Sequence, residues 1–448
     1  MSDLWEAGEL AIAAGSRDAG FAARGISIDT RSLRPGDLFV ALQGERDGHD
    51  FVADAFAKGA AGALVSRDVA GGAVLRVADT LAALTRLGEF ARARSQAKVV
   101  AVTGSVGKTT TKEMLRRALA VFGTVHAAEA SFNNQIGVPL TLARMPRETA
   151  FAVLEIGMNH PGEIAPLARL ARPHVAIVTN VERTHLGLMG SEEAIAEEKA
   201  TIFRGLVPGG VAILPRDSAF LTKLSAAVPA GAKRLTFGKG ELAEIRVLDA
   251  DSTADGCDVL GKVDGGLVRF HLAAPGAHMA MNAVAALAAC HAIGADVQQA
   301  AAALENFVPL EGRGARRPIA GGTALLLDES YNASGASMRA ALAVLGLQTG
   351  RRVAVLGDML ELGEDAEDEH VELRGPVVDA ADLVFTCGEM MGLLFDTLPV
   401  EIQGAHMPDA AALGPLVKAA LRPDDCVLVK GSLGSRMRDV VAILESGD

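Results

Sequence analysis

A chain of 448 residues, half of them apolar and 22% charged, has a globular make-up and too much length for one core, so about two to four domains are expected. Its net charge of −12 excludes nonspecific binding to nucleic acid, although a nest of backbone N–H groups can still hold a small anion. Cys257, Cys290, Cys387 and Cys426 lie far apart without a C-x-x-C pair, which excludes a disulfide framework and a zinc knuckle.

The first residues are acidic (Asp3, Glu6, Glu9) and lack the basic and apolar regions of a signal peptide. No apolar run reaches membrane-spanning length without a charge or a glycine, so a cytoplasmic protein with no membrane insertion is expected. Residues 1–97 read as a small α/β unit, with strands over 37–42, 62–66 and 73–78 and helices over 51–60 and 80–93. The basic, polar stretch 92–98 reads as a linker. From Lys98 onward strands and helices alternate: a buried strand over 98–103, a glycine loop, a helix from Lys108, then strands over 150–156, 174–179 and 210–214. Such alternation implies a parallel sheet covered on both faces. A β-meander over 241–275 and Ala-rich helices over 279–293 and 297–305 close this region. Residues 311–314 form a turn-rich hinge, and strands over 324–328, 353–357, 382–387 and 426–430 alternate with helices in a third α/β unit. The fold class is therefore α/β, in three domains bounded at 1–97, 98–312 and 313–448, with no internal repeat.

The loop after the first central strand carries the most specific chemistry. Gly104, Ser105, Val106, Gly107, Lys108, Thr109 and Thr110 form a phosphate loop between that strand and the next helix. Glycines let N–H groups approach a phosphate, the helix start adds positive potential, Lys108 reaches β/γ oxygens, and Thr109 offers a hydroxyl to Mg²⁺. The strict pattern places its first glycine where this chain has Val102, so a plain glycine-rich βα turn is the alternative. A phosphate loop by itself suits ligases, kinases, switches and motors alike. Glu155 ends the next strand at the carboxyl edge of the sheet, where it can hold Mg²⁺ or cap a helix. His185 follows the strand over 174–179, as a metal ligand, a phosphate neighbour or a structural residue. Lys199 lies in a Glu-rich helical run, and from spacing alone it reads as one lysine on a solvated face.

The phosphate loop, Glu155 with Gly157-Met-Asn159, His185, Lys199, Arg313 and residues 326–333 (Leu-Leu-Asp-Glu-Ser-Tyr-Asn-Ala) occur in the order expected of the Mur ligase family, which the whole chain resembles. The resemblance implies ATP-dependent amide synthesis through an acyl phosphate, in the cytoplasmic assembly of cell-wall precursors. It implies a central P-loop ATPase domain with a parallel sheet, flanked by an N-terminal domain for the UDP-linked substrate and a Rossmann-like C-terminal domain for the incoming amine. Lys108, Glu155, His185 and Lys199 match its catalytic positions, and two Mg²⁺ ions are implied, held by Thr109 with Glu155 and by His185 with a carbamylated Lys199. Arg313 matches the residue that contacts the ATP phosphates, while His278, Asn282 and Glu329 match adenine and ribose positions. Met279, Glu329 and Ser334 stand where the family commonly has Asn, Asp and Asn.

Residues 29–42, 132–139 and 356–363 resemble the branch that adds D-alanyl-D-alanine to UDP-N-acetylmuramoyl-tripeptide, and the Asp-Asn-Pro-Arg signature of the diaminopimelate-adding branch does not occur. By that resemblance Ser27, Asp29, Thr30 and Arg31 grip the uridine diphosphate, Asn133 and Asn134 touch the substrate, and Lys430 and Ser432 receive the dipeptide. Asp358 and Glu361 either bind or cap, and a monomer is expected. Branches adding a single amino acid, relatives extending folate or polyamide chains, and a nucleotide-driven switch or motor remain as alternatives.

Overall fold

The computed structural model describes all residues except 1–2, 17–18, 130, 185 and 447–448. Among the described residues the strands assemble into three sheets, one for each α/β unit. The first holds β1 (Gly25–Ser27), β2 (Asp37–Val40), β3 (Gly62–Val65) and β4 (Val74–Arg76), parallel and in chain order. The second holds β5 (Lys98–Thr103), β6 (Val125–Ala127), β7 (Phe151–Glu155), β8 (Val175–Val178), β9 (Val211–Pro215), β10 (Lys233–Gly238), β11 (Ile245–Ser252), β12 (Cys257–Val263) and β13 (Gly266–Leu272). Their order is β13-β12-β11-β10-β9-β8-β5-β7-β6, parallel from β6 to β11 and antiparallel in the terminal meander. The third holds β14 (Ala315–Ile319), β15 (Ala324–Glu329), β16 (Arg352–Gly357), β17 (Leu383–Cys387), β18 (Gln403–Met407) and β19 (Cys426–Lys430), ordered β14-β15-β19-β16-β17-β18. Only β14 runs antiparallel there.

The order of the central sheet fixes where the chemistry sits. β5 lies between β7 and β8, so the chain leaves β5 for the edge, returns on one side and then crosses to the other. Loops diverge at such a switch point and open a crevice at the carboxyl ends of the strands. The interior of β5, Val99 to Val102, is apolar because both of its faces are covered. Val100 and Val102 enter the core beneath the helices Lys108–Leu119 and Ala277–Ala292, while Val99 and Ala101 enter the opposite one.

The stretch expected to be a linker does not tether two free units. Helix Thr80–Arg94 runs to within four residues of β5, and Arg92 is buried, donating Nε to Ala171 O at 2.7 Å and Nη2 to Arg172 O at 2.8 Å. It thereby satisfies carbonyls at the end of helix Ile164–Ala171. The first domain's core also takes in Leu140 and Ala143 of helix Gly137–Ala143, and Trp5 Nε1 donates to Ala143 O at 2.9 Å. Gly88 makes that approach possible, since a Cβ there would sit 2.8 Å from Pro139 O. No helix among the described residues is long and apolar enough to cross a membrane.

Candidate active site

A cleft of about 1440 Å³ lies over the carboxyl edge of the central sheet, walled on its far side by the third domain. The phosphate loop forms its floor. Gly104 (φ 150°) and Gly107 (φ 81°) adopt backbone angles that side chains disfavour, and each faces a neighbour that would exclude a Cβ. A Cβ on Gly104 would lie 1.8 Å from Thr179 Oγ1, and one on Gly107 2.4 Å from Asn282 Oδ1. The end of β8 thus explains why a glycine is needed at position 104.

The segment after β8 also braces the loop. Thr179 Oγ1 donates to Val106 O at 2.7 Å, Asn180 Oδ1 accepts from Val106 N at 2.9 Å, and Asn180 O accepts from Ser105 N at 3.2 Å. Ser105 Oγ completes the brace by donating to Glu182 O and accepting from Glu182 N, both at 2.9 Å. The N–H groups of Ser105 and Val106, expected to face phosphate, are therefore engaged by Asn180. The anion-facing role passes to the first turn of helix Lys108–Leu119, where Gly107 provides no side-chain cap. Sequence reasoning missed Thr179 and Asn180; their place after the strand neighbouring β5 at a switch point is the signal that would have found them.

Lys108 folds back over its own loop, donating to Gly104 O at 2.8 Å and Ser105 O at 3.1 Å. Burial pulls its pKa down to about 8, against the opposing pull of Glu155 and with help from the charge of Arg313. Thr109 Oγ1 donates to Glu155 Oε2 at 2.9 Å, and Asn133 Nδ2 donates to Glu155 Oε1 at 2.8 Å, so both carboxylate oxygens are fixed. Asn133, expected to touch substrate, is here the support of Glu155. Asn134 Oδ1 accepts from Ile136 N at 3.1 Å and Gly137 N at 2.9 Å, shaping the entry to the next helix while lining the cleft. Among the described residues no group of three or more His, Cys, Asp or Glu could hold a metal. One hydroxyl and one carboxylate suit Mg²⁺, which takes few protein oxygens and completes its shell with phosphate and water.

Lys199 corrects the expectation drawn from its spacing. It is 2% exposed, and burial, reinforced by the charge of Lys108 and opposed by Glu198, pulls its pKa well below the ordinary lysine value. Glu198 spends its carboxylate on Gly162 N and Ile164 N, both at 2.8 Å, at the start of helix Ile164–Ala171. His185 lies outside the described residues.

The third domain brings Arg313 across the cleft, where its Nη2 donates to Ser131 Oγ at 3.1 Å. The hinge is held by Asp328, which sequence reasoning left unassigned. Its Oδ2 accepts from Gly312 N and Arg317 Nη2, both at 2.9 Å, and its Oδ1 from Ser330 Oγ at 2.6 Å. Lys430 is buried with its Nζ 2.9 Å from Asn332 O and 3.5 Å from Glu329 Oε2, and burial lowers its pKa. Burial likewise lowers the pKa of His278. His278, Asn282, Glu329 and Lys430 all line the cleft with the phosphate loop.

Other expected residues stand apart from that wall. Ser27 ends β1, and Asp29, Thr30 and Arg31 follow it, where Arg31 clasps Asp29 with Nε at 3.0 Å and Nη2 at 2.6 Å. Ser432 is buried, accepting from Leu360 N at 2.9 Å and donating its own N–H to Asp358 O at 3.1 Å. Asp358 caps helix Glu389–Thr397 through Met391 N at 2.8 Å, which supports the capping alternative for that residue.

Three family models match the chain: "Mur ligase family, catalytic domain" over residues 23–96, "Mur ligase middle domain" over 102–290, and "Mur ligase, glutamate ligase domain" over 312–433. The UDP-N-acetylmuramoyl-tripeptide–D-alanyl-D-alanine ligase of Synechocystis sp. is 38% identical over 429 residues, covering 94% of this chain and 91% of the relative. A crystal structure of MurF from Acinetobacter baumannii superimposes with a TM-score of 0.87 at 32% identity, covering 98% of both chains. MurF from Thermotoga maritima in complex with ADP gives 0.79 at 27% identity, covering 94% of this chain and 97% of that one.

Proposed function

The chain belongs to the Mur ligase family, and we infer that it joins D-alanyl-D-alanine to UDP-N-acetylmuramoyl-tripeptide at the cost of ATP, in peptidoglycan synthesis. The observation that carries the chemistry is the Thr109–Glu155 pair beside the phosphate loop, with the buried Lys199 within electrostatic reach of Lys108 and Arg313 reaching over from the third domain. In this reading the first turn of helix Lys108–Leu119 and Lys108 hold the β- and γ-phosphates, and Arg313 adds a second cation. Mg²⁺ held by Thr109 and Glu155 would screen the repulsion between the γ-phosphate and the tripeptide carboxylate.

The substrate carboxylate attacks the γ-phosphorus and ADP leaves. The dipeptide amine then attacks the acyl carbon of the acyl phosphate, and phosphate leaves. Catalysis is positioning and charge neutralisation, with the third domain closed on the second to exclude water. Lys199 has a further role. Its depressed pKa favours the free amine, which can add CO₂ and lose a proton, giving a carbamate whose oxygens, with His185, would suit a second Mg²⁺. Residues 1–97 hold the UDP end of the carrier through Ser27, Asp29, Thr30 and Arg31, residues 98–312 bind ATP, and residues 313–448 receive the dipeptide near Lys430 and Ser432. The protein acts as a monomer in the cytoplasm.

The test is phosphate release from ATP, Mg²⁺ and UDP-N-acetylmuramoyl-tripeptide, with and without D-alanyl-D-alanine. Dipeptide-dependent release with a pentapeptide product by mass is expected. Release driven only by another amine would move the substrate, and release indifferent to every amine would remove the ligase.

A further inference from the structure

Tyr331, the only tyrosine of the chain, lines the cleft at the carboxyl end of β15. The guanidinium carbon of Arg313 lies 4.1 Å from the centre of its ring, and that of Arg438 lies 5.1 Å from it. The first of these contacts is built into the backbone. Tyr331 N donates to Gly312 O at 3.1 Å, beside Arg313 in the chain. Asp328 holds Gly312 N with one carboxylate oxygen and Ser330 N with the other, at 2.9 and 3.1 Å, so one buried group sets the backbone next to both partners.

The choice of an aromatic partner matters chemically. A carboxylate would hold Arg313 by consuming its N–H donors and cancelling its charge. A ring face attracts the same cation through its quadrupole and leaves the in-plane donors and the full charge for an anion. We propose that Tyr331 is the positioning residue of Arg313, holding the guanidinium over the cleft with its charge unneutralised and only the neutral Ser131 hydroxyl on one of its donors. The proposal rests on the reading of Arg313 as the contact to the ATP phosphates.

A double-mutant cycle on the full chain tests it, with kcat and KM for ATP and for the UDP-linked substrate measured in Tyr331→Phe, Tyr331→Leu, Arg313→Ala and the Leu/Ala double variant. Tyr331→Phe keeps the ring face and is expected within about twofold of the parent in kcat/KM for ATP, whereas Tyr331→Leu falls about tenfold. KM for the UDP-linked substrate stays unchanged, and the double variant is no worse than Arg313→Ala alone. Melting temperatures are read alongside, and Tyr331→Met replaces the leucine variant should that one not fold. Losses that multiply in the double variant, or a phenylalanine variant as impaired as the leucine one, would overturn the positioning role while leaving Arg313 in place. An Arg313→Ala variant with parental kcat/KM would instead remove the assignment of Arg313, and the role of Tyr331 with it.

Discussion

In the proposed mechanism Lys108, half-buried over its own loop, and the fully buried Lys199 have opposite requirements, since one must be a cation to hold phosphate and the other a free amine to take up CO₂. Lys108 is held half-buried against its own loop, where its charged form is disfavoured, with a pKa near 8 against 10.5. The unfolded chain therefore binds more protons between those two values. The lysine's contribution to stability rises with pH across that window, and its penalty is fully present below pH 8. Lys108→Met is expected to lose turnover by at least about a thousandfold, as removal of a preorganised phosphate contact does. At pH 7 the same variant should be more stable than the parent by about 1–3 kcal/mol, a gain that shrinks above pH 8. Urea titrations at pH 7 and 10 decide this, and equal gains at both would refute the burial argument. Lys199→Ala should be nearly inactive yet partly restored by short carboxylic acids that supply the missing oxygen. Full activity without any addition would exclude a role for the lysine. Nothing in the run of glutamates around Lys199 distinguishes it from a surface residue, because its burial comes from tertiary packing that helical spacing does not encode.

At the scale of elements, the strands most legible in the sequence were those covered on both faces. β5, β7, β8, β16 and β19 are continuous apolar runs with every interior residue buried. The two edge strands of the third sheet escaped notice: β14 reads Ala-Arg-Arg-Pro-Ile and β18 Gln-Gly-Ala-His-Met, since an edge tolerates polar residues and proline. Equally hidden was the loop after β16, which is held by a fully buried histidine. His370 Nε2 accepts from Met359 N at 2.9 Å, and its Nδ1 donates to Ala366 O at 2.6 Å, which requires the neutral ring. The same loop meets the central domain, where Glu361 O accepts from Gly187 N at 3.0 Å. Burial holds the pKa of His370 below the ordinary 6.5, although Asp358 and Glu369 face it and oppose the shift. The unfolded chain takes up its proton first on acidification, so the stability this histidine contributes is complete above pH 6.5 and is lost as pH falls below it. His370→Gln supplies an acceptor and a donor without a titrating ring. It should lose less stability than the parent between pH 7 and pH 5. Parallel stability curves for the two proteins across that range would count against this account.

For the molecule as a whole, three domains could be read from the alternation of elements, but the way the first joins the second could not. A polar stretch such as residues 92–98 ordinarily separates cores, and here it lies beside a core that both domains share. Leu140 and Ala143 of the central chain fill the base of the first domain, where Ala143 also gives Trp5 its hydrogen-bond acceptor. That helix begins just after Asn133 and Asn134, so the domain proposed to hold the carrier buttresses the segment that orients Glu155. A fragment of residues 1–97 would expose the apolar surface left by those two side chains and leave a buried indole N–H unsatisfied, a cost of about 3–6 kcal/mol in all. A domain of this size commonly has only about that much stability to lose. The fragment is therefore expected to melt without cooperativity and to show red-shifted emission from Trp5, the only tryptophan, while the full chain shows the emission of a buried one. A fragment that melts cooperatively with unshifted emission would mean that the first domain stands alone, and that its contact with helix Gly137–Ala143 is a docking surface rather than part of its core.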